Sequence, residues 1–157
     1  MLTCFLSRSE LENKSWLRGD SSREERTLTY AYLISKASEK GRCILVLSDK
    51  EEFTLEELHT GASCHTFEIV RVADPLHKDQ RICLVIDDIG KITGKRINMR
   101  ASLMYGSFYD YIAGDAIICK EGIVNGEHDL VKFTQEEAVE LVNLINHNVD
   151  ALYREVR

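Results

Sequence analysis

Carboxylate side chains in two short segments have the type and spacing needed to contact a cationic partner. Each segment contains a Thr-x-x-Glu motif typical of a helix start, and its acids recur over one or two turns. Carboxylates spaced in this way can imitate a row of phosphates and occupy a basic groove on another protein. Acids in the first turn of a helix also stabilise its dipole, which explains most of these positions equally well. The candidate residues are Glu51, Glu52, Glu56, Glu57, Glu136, Glu137 and Glu140.

A second group of residues combines cationic, amide and aromatic side chains. Lysine and arginine bind phosphate, and tyrosine rings offer a face for a nucleobase, so the group predicts an anion or small-nucleotide site. Alternatively, its cations are solubility residues at a strand edge and its tyrosines are half-buried strand residues. The group consists of Lys95, Arg96, Asn98, Arg100 and Tyr109, with Tyr105 and Tyr111 beside them.

No catalytic motif accompanies these residues. The chain has no Gly-x-Ser-x-Gly elbow, no Walker-type loop, no His-Glu-x-x-His helix and no Gly-x-Gly-x-x-Gly helix start. Asp87 and Asp88 could form a carboxylate pair, but adjacent strand residues point to opposite faces, and acids are common at turns. We therefore expect a protein that is not an enzyme and has no catalytic residue.

The cysteines do not predict a metal site. Their number is odd and no two have Cys-x-x-Cys spacing, so they are expected to be reduced core residues. His59, Cys64 and His65 are the nearest approach to a ligand cluster, but strand alternation places the last two on opposite faces. Neither a metal nor a cofactor is expected. The five cysteines are Cys4, Cys43, Cys64, Cys83 and Cys119.

Composition indicates an ordinary globular chain. Its 157 residues are 44% hydrophobic and 29% charged, and its apolar runs are much shorter than the ~20 residues needed to cross a bilayer. The N-terminus has no basic start like that of a secretory signal, so we expect a cytoplasmic protein without membrane association. Residues 1–41 carry a balance of +1 and the remaining 116 residues carry −7. Direct nucleic-acid binding is therefore not favoured.

Local patterns predict an α+β fold with a mostly antiparallel sheet of five to six short strands, a long C-terminal helix and an N-terminal helical extension. Capping-box motifs at Ser22, Thr54 and Thr134 begin three of the predicted helices. Residues 1–41 are predicted to form the extension and residues 42–157 the α+β domain. The predicted helices are Ser9–Arg18, Ser22–Lys40, Thr54–Gly61, Ile97–Tyr105 and Gln135–Tyr153.

Short apolar runs between turn residues predict the strands. Arg42–Ser48 is expected to be central in the sheet because its apolar run is continuous. Asp88 to Gly90 is expected to turn a hairpin into a strand at Lys91–Thr93, and Asn125-Gly126 is expected to turn the last hairpin. The other predicted strands are Ser63–Ala73, Arg81–Asp87, Tyr111–Lys120 and His128–Phe133.

Three segments of the chain resemble one family. They are GKITGKRINMRA, YDYIAGDAIIC and HDLVKFTQEEA, and they begin at Gly90, Tyr109 and His128. Together they resemble the family described as domain of unknown function 3846 over about Arg42 to Ala138. The chain departs from the family pattern where Met99 separates Asn98 from Arg100.

The resemblance implies a setting in phages and in integrative and conjugative elements of bacteria. Small non-enzymatic proteins of such elements often protect them from host defence. The first hypothesis is an anti-defence inhibitor whose acidic surface blocks a host nuclease or CRISPR effector. The second is a homo-oligomeric protein that sequesters a small signalling nucleotide, and the third is an interaction module in element transfer or regulation.

Overall fold

The computed structural model describes residues 29–38, 43–72, 81–106 and 110–156, and side chains as far as His147. Seven strands and three helices lie in these ranges, and the predicted α+β class is confirmed. The strands are β1 Tyr30–Ser35, β2 Cys43–Ser48, β3 Phe67–Arg71, β4 Ile82–Asp87, β5 Ala116–Val124, β6 Glu127–Val131 and β7 Phe133–Thr134. The helices are α1 Leu55–Gly61, α2 Met99–Tyr105 and α3 Gln135–Val156.

The strands form one antiparallel sheet, as predicted. Its main order is β2-β1-β5-β4-β3, while β6 pairs with the second half of β5 and β7 pairs with the start of β1. β2 and β3 are therefore the ends of the main order.

Each face of the sheet is covered by helices. Ala101 of α2 and Leu141 of α3 belong to the apolar cluster on one face, whereas Leu58 of α1 belongs to the cluster on the other. β1 contributes to both clusters, because Leu33 and Ile34 point to opposite sides. The result is a three-layer arrangement around a central sheet.

The C-terminal helix forms as its apolar stripe predicts. Ala138, Leu141, Val142 and Ile145 are each at most 8% exposed, and burial of each large side chain contributes about 1.5–3 kcal/mol. His147 is exposed, as its position off the stripe predicts.

Local sequence signals determine where several elements begin. Thr54 accepts a hydrogen bond from the Glu57 N–H at 3.1 Å, and the Glu57 carboxylate accepts one from the Thr54 N–H at 3.0 Å. This capping box starts α1 as predicted. Asn125 and Gly126 have φ angles of 52° and 80° and join β5 to β6, as expected for an Asn-Gly hairpin turn.

The predicted helix Ser22–Lys40 is wrong where the structure describes it, because Tyr30–Ser35 is a strand. This strand pairs with β2 on one side and with β5 and β7 on the other. All residues from Ala31 to Ser35 are buried, which a helix with one apolar stripe would not achieve. Tertiary pairing therefore overrides the helical spacing. Residues 1–28, including the predicted helix Ser9–Arg18, lie outside the described residues.

Two further strand predictions are wrong. β2 lies at an end of the sheet rather than in its centre, although helix α3 packs against it. No hairpin forms after β4, because residues 88–94 make consecutive turns and β4 pairs with β3 and β5 instead. Pairing with distant strands determines the path here, and local turn residues do not reveal it.

A chain shortened to begin at Arg42 tests the role of β1. We expect it to aggregate or to lose cooperative thermal unfolding, because removal of β1 leaves β2 and β7 without their partner and exposes one edge of the first half of β5. Size-exclusion chromatography and thermal melting against the full chain measure this. A soluble fragment that melts cooperatively would contradict the central role of β1.

Candidate protein-binding site

The predicted acidic residues lie on two sides of the sheet. Glu51 and Glu52 precede α1 and Glu56 lies in its first turn, whereas Glu136 and Glu140 lie on α3. Glu51 is half-buried and the other four are exposed. Because α1 and α3 cover opposite faces, these carboxylates do not form one continuous row.

Glu57 does not lie on the surface, because it forms a buried ion pair with Lys132. Its Oε2 and Oε1 atoms lie 2.9 and 3.1 Å from Lys132 Nζ, and neither side chain is more than 5% exposed. The same Nζ donates to Ser48 Oγ at 2.7 Å. The helical spacing of the acids could not show which of them faces the sheet, so Glu57 is removed from the predicted surface.

Aromatic rings complete the surroundings of Lys132. Its Nζ lies 5.2 Å from the centre of the Phe53 ring and 5.7 Å from that of Tyr32, distances at which a cation and a ring attract. Burial, and secondarily the charge of Glu57, raises the pKa of Tyr32 to about 12. Lys132, Glu57 and the two rings therefore form a closed cluster within the core, on the side of the sheet that α1 covers.

Glu137 is also engaged within the protein. Its two carboxylate oxygens lie 3.1 and 3.2 Å from Lys120 Nζ, and one of them accepts a hydrogen bond from the Thr134 N–H. Burial raises the pKa of Glu137, but the hydrogen bonds from Thr134 and Lys120 outweigh it and hold the pKa below its usual value. Its capping role therefore accounts for this residue, and partner binding by the other acids stays a prediction.

Asn98, from the second predicted group, is a structural residue. Its Oδ1 accepts hydrogen bonds from the Ala101 N–H and the Ser35 hydroxyl, both at 3.0 Å. Its Nδ2 donates to the carbonyl oxygens of Ser35 at 2.8 Å and Gly114 at 3.0 Å. The side chain is 1% exposed and these four bonds use its full hydrogen-bonding capacity.

The cations of this group do not converge on one surface. Lys95 Nζ lies 2.6 Å from Asp87 Oδ2 and also donates to the Ser63 carbonyl. Arg100 is 6% exposed, and its Nε has no hydrogen-bond partner among the described residues. Arg96 is exposed and Tyr109 lies outside the described residues. A nucleotide site built from these residues stays a prediction.

The structure places a different set of acids around a cavity of ≈ 80 Å³. Its walls are β3, the end of β4, the turn that follows, the end of α2 and residues 110–113. Gly90 allows the turn to approach this last segment, since a Cβ there would lie only 2.6 Å from the carbonyl oxygen of Ala113. The polar residues that line the cavity include Glu68, Asp88, Lys91, Tyr105, Asp110 and Tyr111.

The cavity has an excess of negative charge. Lys91 forms an ion pair with Asp110 and its Nζ lies 4.9 Å from the centre of the Tyr111 ring. Its hydrogen bond to Asp110 is the main cause that lowers the pKa of that carboxyl. Glu68 and Asp88 have no ion pair among the described residues. Carboxylates beside a tyrosine ring suit a guanidinium or ammonium group.

Asp87 forms the inner wall of the cavity and keeps its charge. Burial raises its pKa, but the hydrogen bonds from Lys95 and the Ile89 N–H outweigh burial and hold the pKa below its usual value. Lys95 thus neutralises the most deeply buried carboxylate and Lys91 pairs with Asp110, so Glu68 and Asp88 are the acids of the cavity that form no ion pair among the described residues. Asp88 accepts a hydrogen bond from the Thr66 hydroxyl.

Sequence reasoning missed this cavity. Of the acids that line it, the sequence singles out only Asp87 and Asp88, as a possible carboxylate pair. Glu68 and Asp110 are distant in sequence and meet because β3 pairs with β4 and residues 110–113 return beside α2. No local spacing signals such a meeting.

Comparison with known families assigns the chain to one of them. The sequence model of the family described as "Domain of unknown function (DUF3846)" matches residues 40–146. The chain belongs to this family. The predicted resemblance is thus confirmed, and the matched region contains every residue that lines the cavity. No curated protein and no solved structure matches the chain.

The cysteines of this DUF3846 protein behave as predicted where they are described. Cys43, Cys83 and Cys119 are buried free thiols, and burial is the main cause that raises the pKa of each. Cys64 is half-buried and free, and Cys4 lies outside the described residues. Such thiols are poor nucleophiles.

None of the described helices of this DUF3846 protein has the length and apolar character needed to cross a bilayer. In the same residues, no three His, Cys, Asp or Glu side chains are arranged to hold a metal ion.

The Lys132–Glu57 pair generates a stability prediction. Lys132→Met should lower the free energy of unfolding by about 3–5 kcal/mol, because it leaves a buried carboxylate without its cation. The double variant Lys132→Met/Glu57→Gln should recover part of this loss, because glutamine still accepts the Thr54 N–H without carrying a charge. Urea unfolding measures both variants. A double variant no more stable than Lys132→Met would show that the unpaired charge is not the cause.

Asn98 offers a second test. Asn98→Asp should lower the free energy of unfolding by about 1–3 kcal/mol at neutral pH, although aspartate caps helices as well as asparagine does. An ionised carboxylate cannot donate to the carbonyls of Ser35 and Gly114 and would repel them. Thermal melting measures the change, with exposed Asn125→Asp as the control. Unchanged stability would contradict a structural role for the two hydrogen bonds that its Nδ2 donates.

Proposed function

We propose that the protein is a non-enzymatic binding protein of a phage or mobile element, active in the cytoplasm of the bacterial host. It acts as an anti-defence inhibitor that covers a basic surface of a host nuclease or CRISPR effector. The setting in mobile elements comes from the family resemblance, and the inhibitory mechanism comes from the charge of the protein.

The observation that carries the proposal is the excess of exposed carboxylates without cationic neighbours. Glu52, Glu56 and Glu140 are exposed and form no ion pair in the described part of the chain. Glu68 and Asp88 add charge at the cavity. Nucleic-acid-binding surfaces are lined with lysine and arginine, so an acidic protein competes with DNA or RNA for them.

The arrangement favours a protein partner over direct contact with nucleic acid. Residues 42–157 carry −7 of the net charge, which would repel phosphates. Several of the described cations that could offset this are engaged, with Lys132, Lys120 and Lys95 each bonded to a carboxylate of the chain.

The test is DNA cleavage by nuclease effectors purified from the bacterial host, measured against increasing concentrations of the protein at low and high salt. We expect inhibition that weakens as salt rises, since exposed charges are screened. Glu52→Gln/Glu56→Gln and Glu136→Gln/Glu140→Gln identify the face that binds. At least one pair should raise the half-inhibitory concentration by about tenfold, a change of ~1.4 kcal/mol.

The control is Glu127→Gln/Asp129→Asn, which removes the same charge from the exposed β6 hairpin. It should inhibit almost as well as the unchanged protein. Inhibition that ignores salt, or that falls equally in the control, would contradict a mechanism based on these acidic faces.

A further inference from the structure

The outer edge of β3 is an unpaired sheet edge. β3 pairs with β4 on one side, and no strand among the described residues lies on the other. The Val72 N–H donates to the Ile82 carbonyl at 3.1 Å and the Asp88 N–H to the Thr66 carbonyl at 3.3 Å, so even-numbered residues of this strand bond toward β4. The residues whose N–H and C=O groups point outward are Phe67, Ile69 and Arg71.

This edge has only part of the usual protection against pairing, namely its short length and the charges of Glu68 and Arg71. β3 contains no proline, and Ile69 in its middle is 46% exposed. The Arg71 side chain extends back across the sheet, where its Nε lies 2.9 Å from Glu121 Oε1 on β5. Natural proteins usually cover or charge such an edge unless a partner strand binds there.

The cavity borders the same edge. Glu68 and Val70 of β3 line it on the side that faces α2. A strand added to β3 would lie about 4.8 Å away, with every second side chain on that side. One such side chain would therefore reach the cavity mouth beside Glu68.

Charge selects the kind of side chain that fits. Glu68 and Asp88 form no ion pair among the described residues, because Lys91, the cation of the cavity, is engaged by Asp110 and the Tyr111 ring. Their carboxylates suit a guanidinium or ammonium group. Antiparallel pairing of β3 with a second copy would instead bring two sets of these acids to the same side of one continuous sheet. Like charges in neighbouring strands destabilise such pairing.

We propose that the free edge of β3 accepts an extended basic segment of a partner protein as an additional strand, with one arginine or lysine of that segment in the cavity. This inference rests on the proposed function, because it takes a basic protein as the partner. It adds how that partner is bound. Main-chain hydrogen bonds to Phe67, Ile69 and Arg71 supply affinity, and the cavity selects the cation.

Two blocked peptides of identical composition test the proposal in the full chain. One alternates arginine and valine, and the other groups its arginines at one end. Fluorescence anisotropy should show the alternating peptide binding about tenfold more tightly, because as a strand it places all of its arginines on one side, whereas the grouped peptide directs half of them away from the cavity. Equal affinity would mean that binding is general electrostatic attraction and would overturn the proposal.

Variants of the edge separate hydrogen bonding from charge. Ile69→Pro removes one outward N–H without removing a bond to β4, and should weaken the alternating peptide by about tenfold, whereas Ile69→Val should bind it normally. Glu68→Gln should weaken it more than Glu127→Gln, which removes the same charge elsewhere. Normal binding by both Ile69→Pro and Glu68→Gln would overturn the proposal.

Amide hydrogen exchange keeps the test decisive if Ile69→Pro fails to fold. In the unchanged protein, the alternating peptide should slow exchange at the amides of Phe67, Ile69 and Arg71. Unchanged exchange at all three amides would overturn the proposal. A dimer detected by light scattering that becomes tighter in Glu68→Gln would also overturn it, because β3 would then pair with a second copy of the protein.

The outcomes also separate this inference from the proposed function. If the protein inhibits nucleases but the β3 variants inhibit normally, the strand-edge proposal fails alone. If the peptide binds at β3 but no nuclease is inhibited, the proposed function fails and the strand-binding edge stands.

Discussion

The hydrogen bonds of the buried Asn98 amide hold three segments of the chain together. Through this one side chain, the end of β1 at Ser35, the approach to β5 at Gly114 and the first turn of α2 at Ala101 are held together. All of these groups are buried, so each bond lost would leave an unsatisfied polar atom in the core. The amide thereby fixes where α2 lies on the sheet.

The position of α2 in turn creates the cavity. The helix ends at Tyr105, and the chain returns past Tyr111 to Ala113. Asn98 holds this returning segment beside α2 through Gly114, and hydrogen bonds from the Gly114 N–H to the Arg96 carbonyl and from the Ile112 N–H to the Ser102 hydroxyl hold it as well. The opposite face depends on a different polar contact, the Lys132–Glu57 pair, which ties α1 to the loop between β6 and β7. Buried ion pairs contribute little net stability, so this one acts mainly to specify which side of α1 packs on the sheet.

Signals carried by a few adjacent residues were sufficient for part of the fold. The Thr54 and Thr134 capping boxes, the Asn125-Gly126 turn and the apolar stripe of α3 each involve neighbours in sequence, and each forms as predicted. The segment of β1 resembles a helix because Leu28, Ala31 and Tyr32 have helical spacing, whereas a strand buried on both faces shows no period of two. Only its pairing with β2 and β5 decides between the two structures.

The site was less accessible to prediction than the fold. Helical spacing identified the acids of α1 and α3, but it could not show that Glu57 faces inward toward Lys132, a residue far away in the sequence. The cavity depends on three features of the fold. They are the β3–β4 pairing, the turns after β4 and the return of residues 110–113 beside α2. Contacts between residues far apart in the sequence, and a cavity that depends on them, cannot be obtained from local patterns.

The acids therefore differ in what they say about binding. Glu56, Glu136 and Glu137 lie in the first turns of helices, where they favour the helix dipole whether or not a partner exists. Glu68 lies within a strand and Asp88 in a turn, so neither serves a dipole, and neither has a cation among the described residues. A cationic ligand would supply the partner that these two carboxylates lack, which makes the β3 edge more informative about binding than the more numerous acids of the helices.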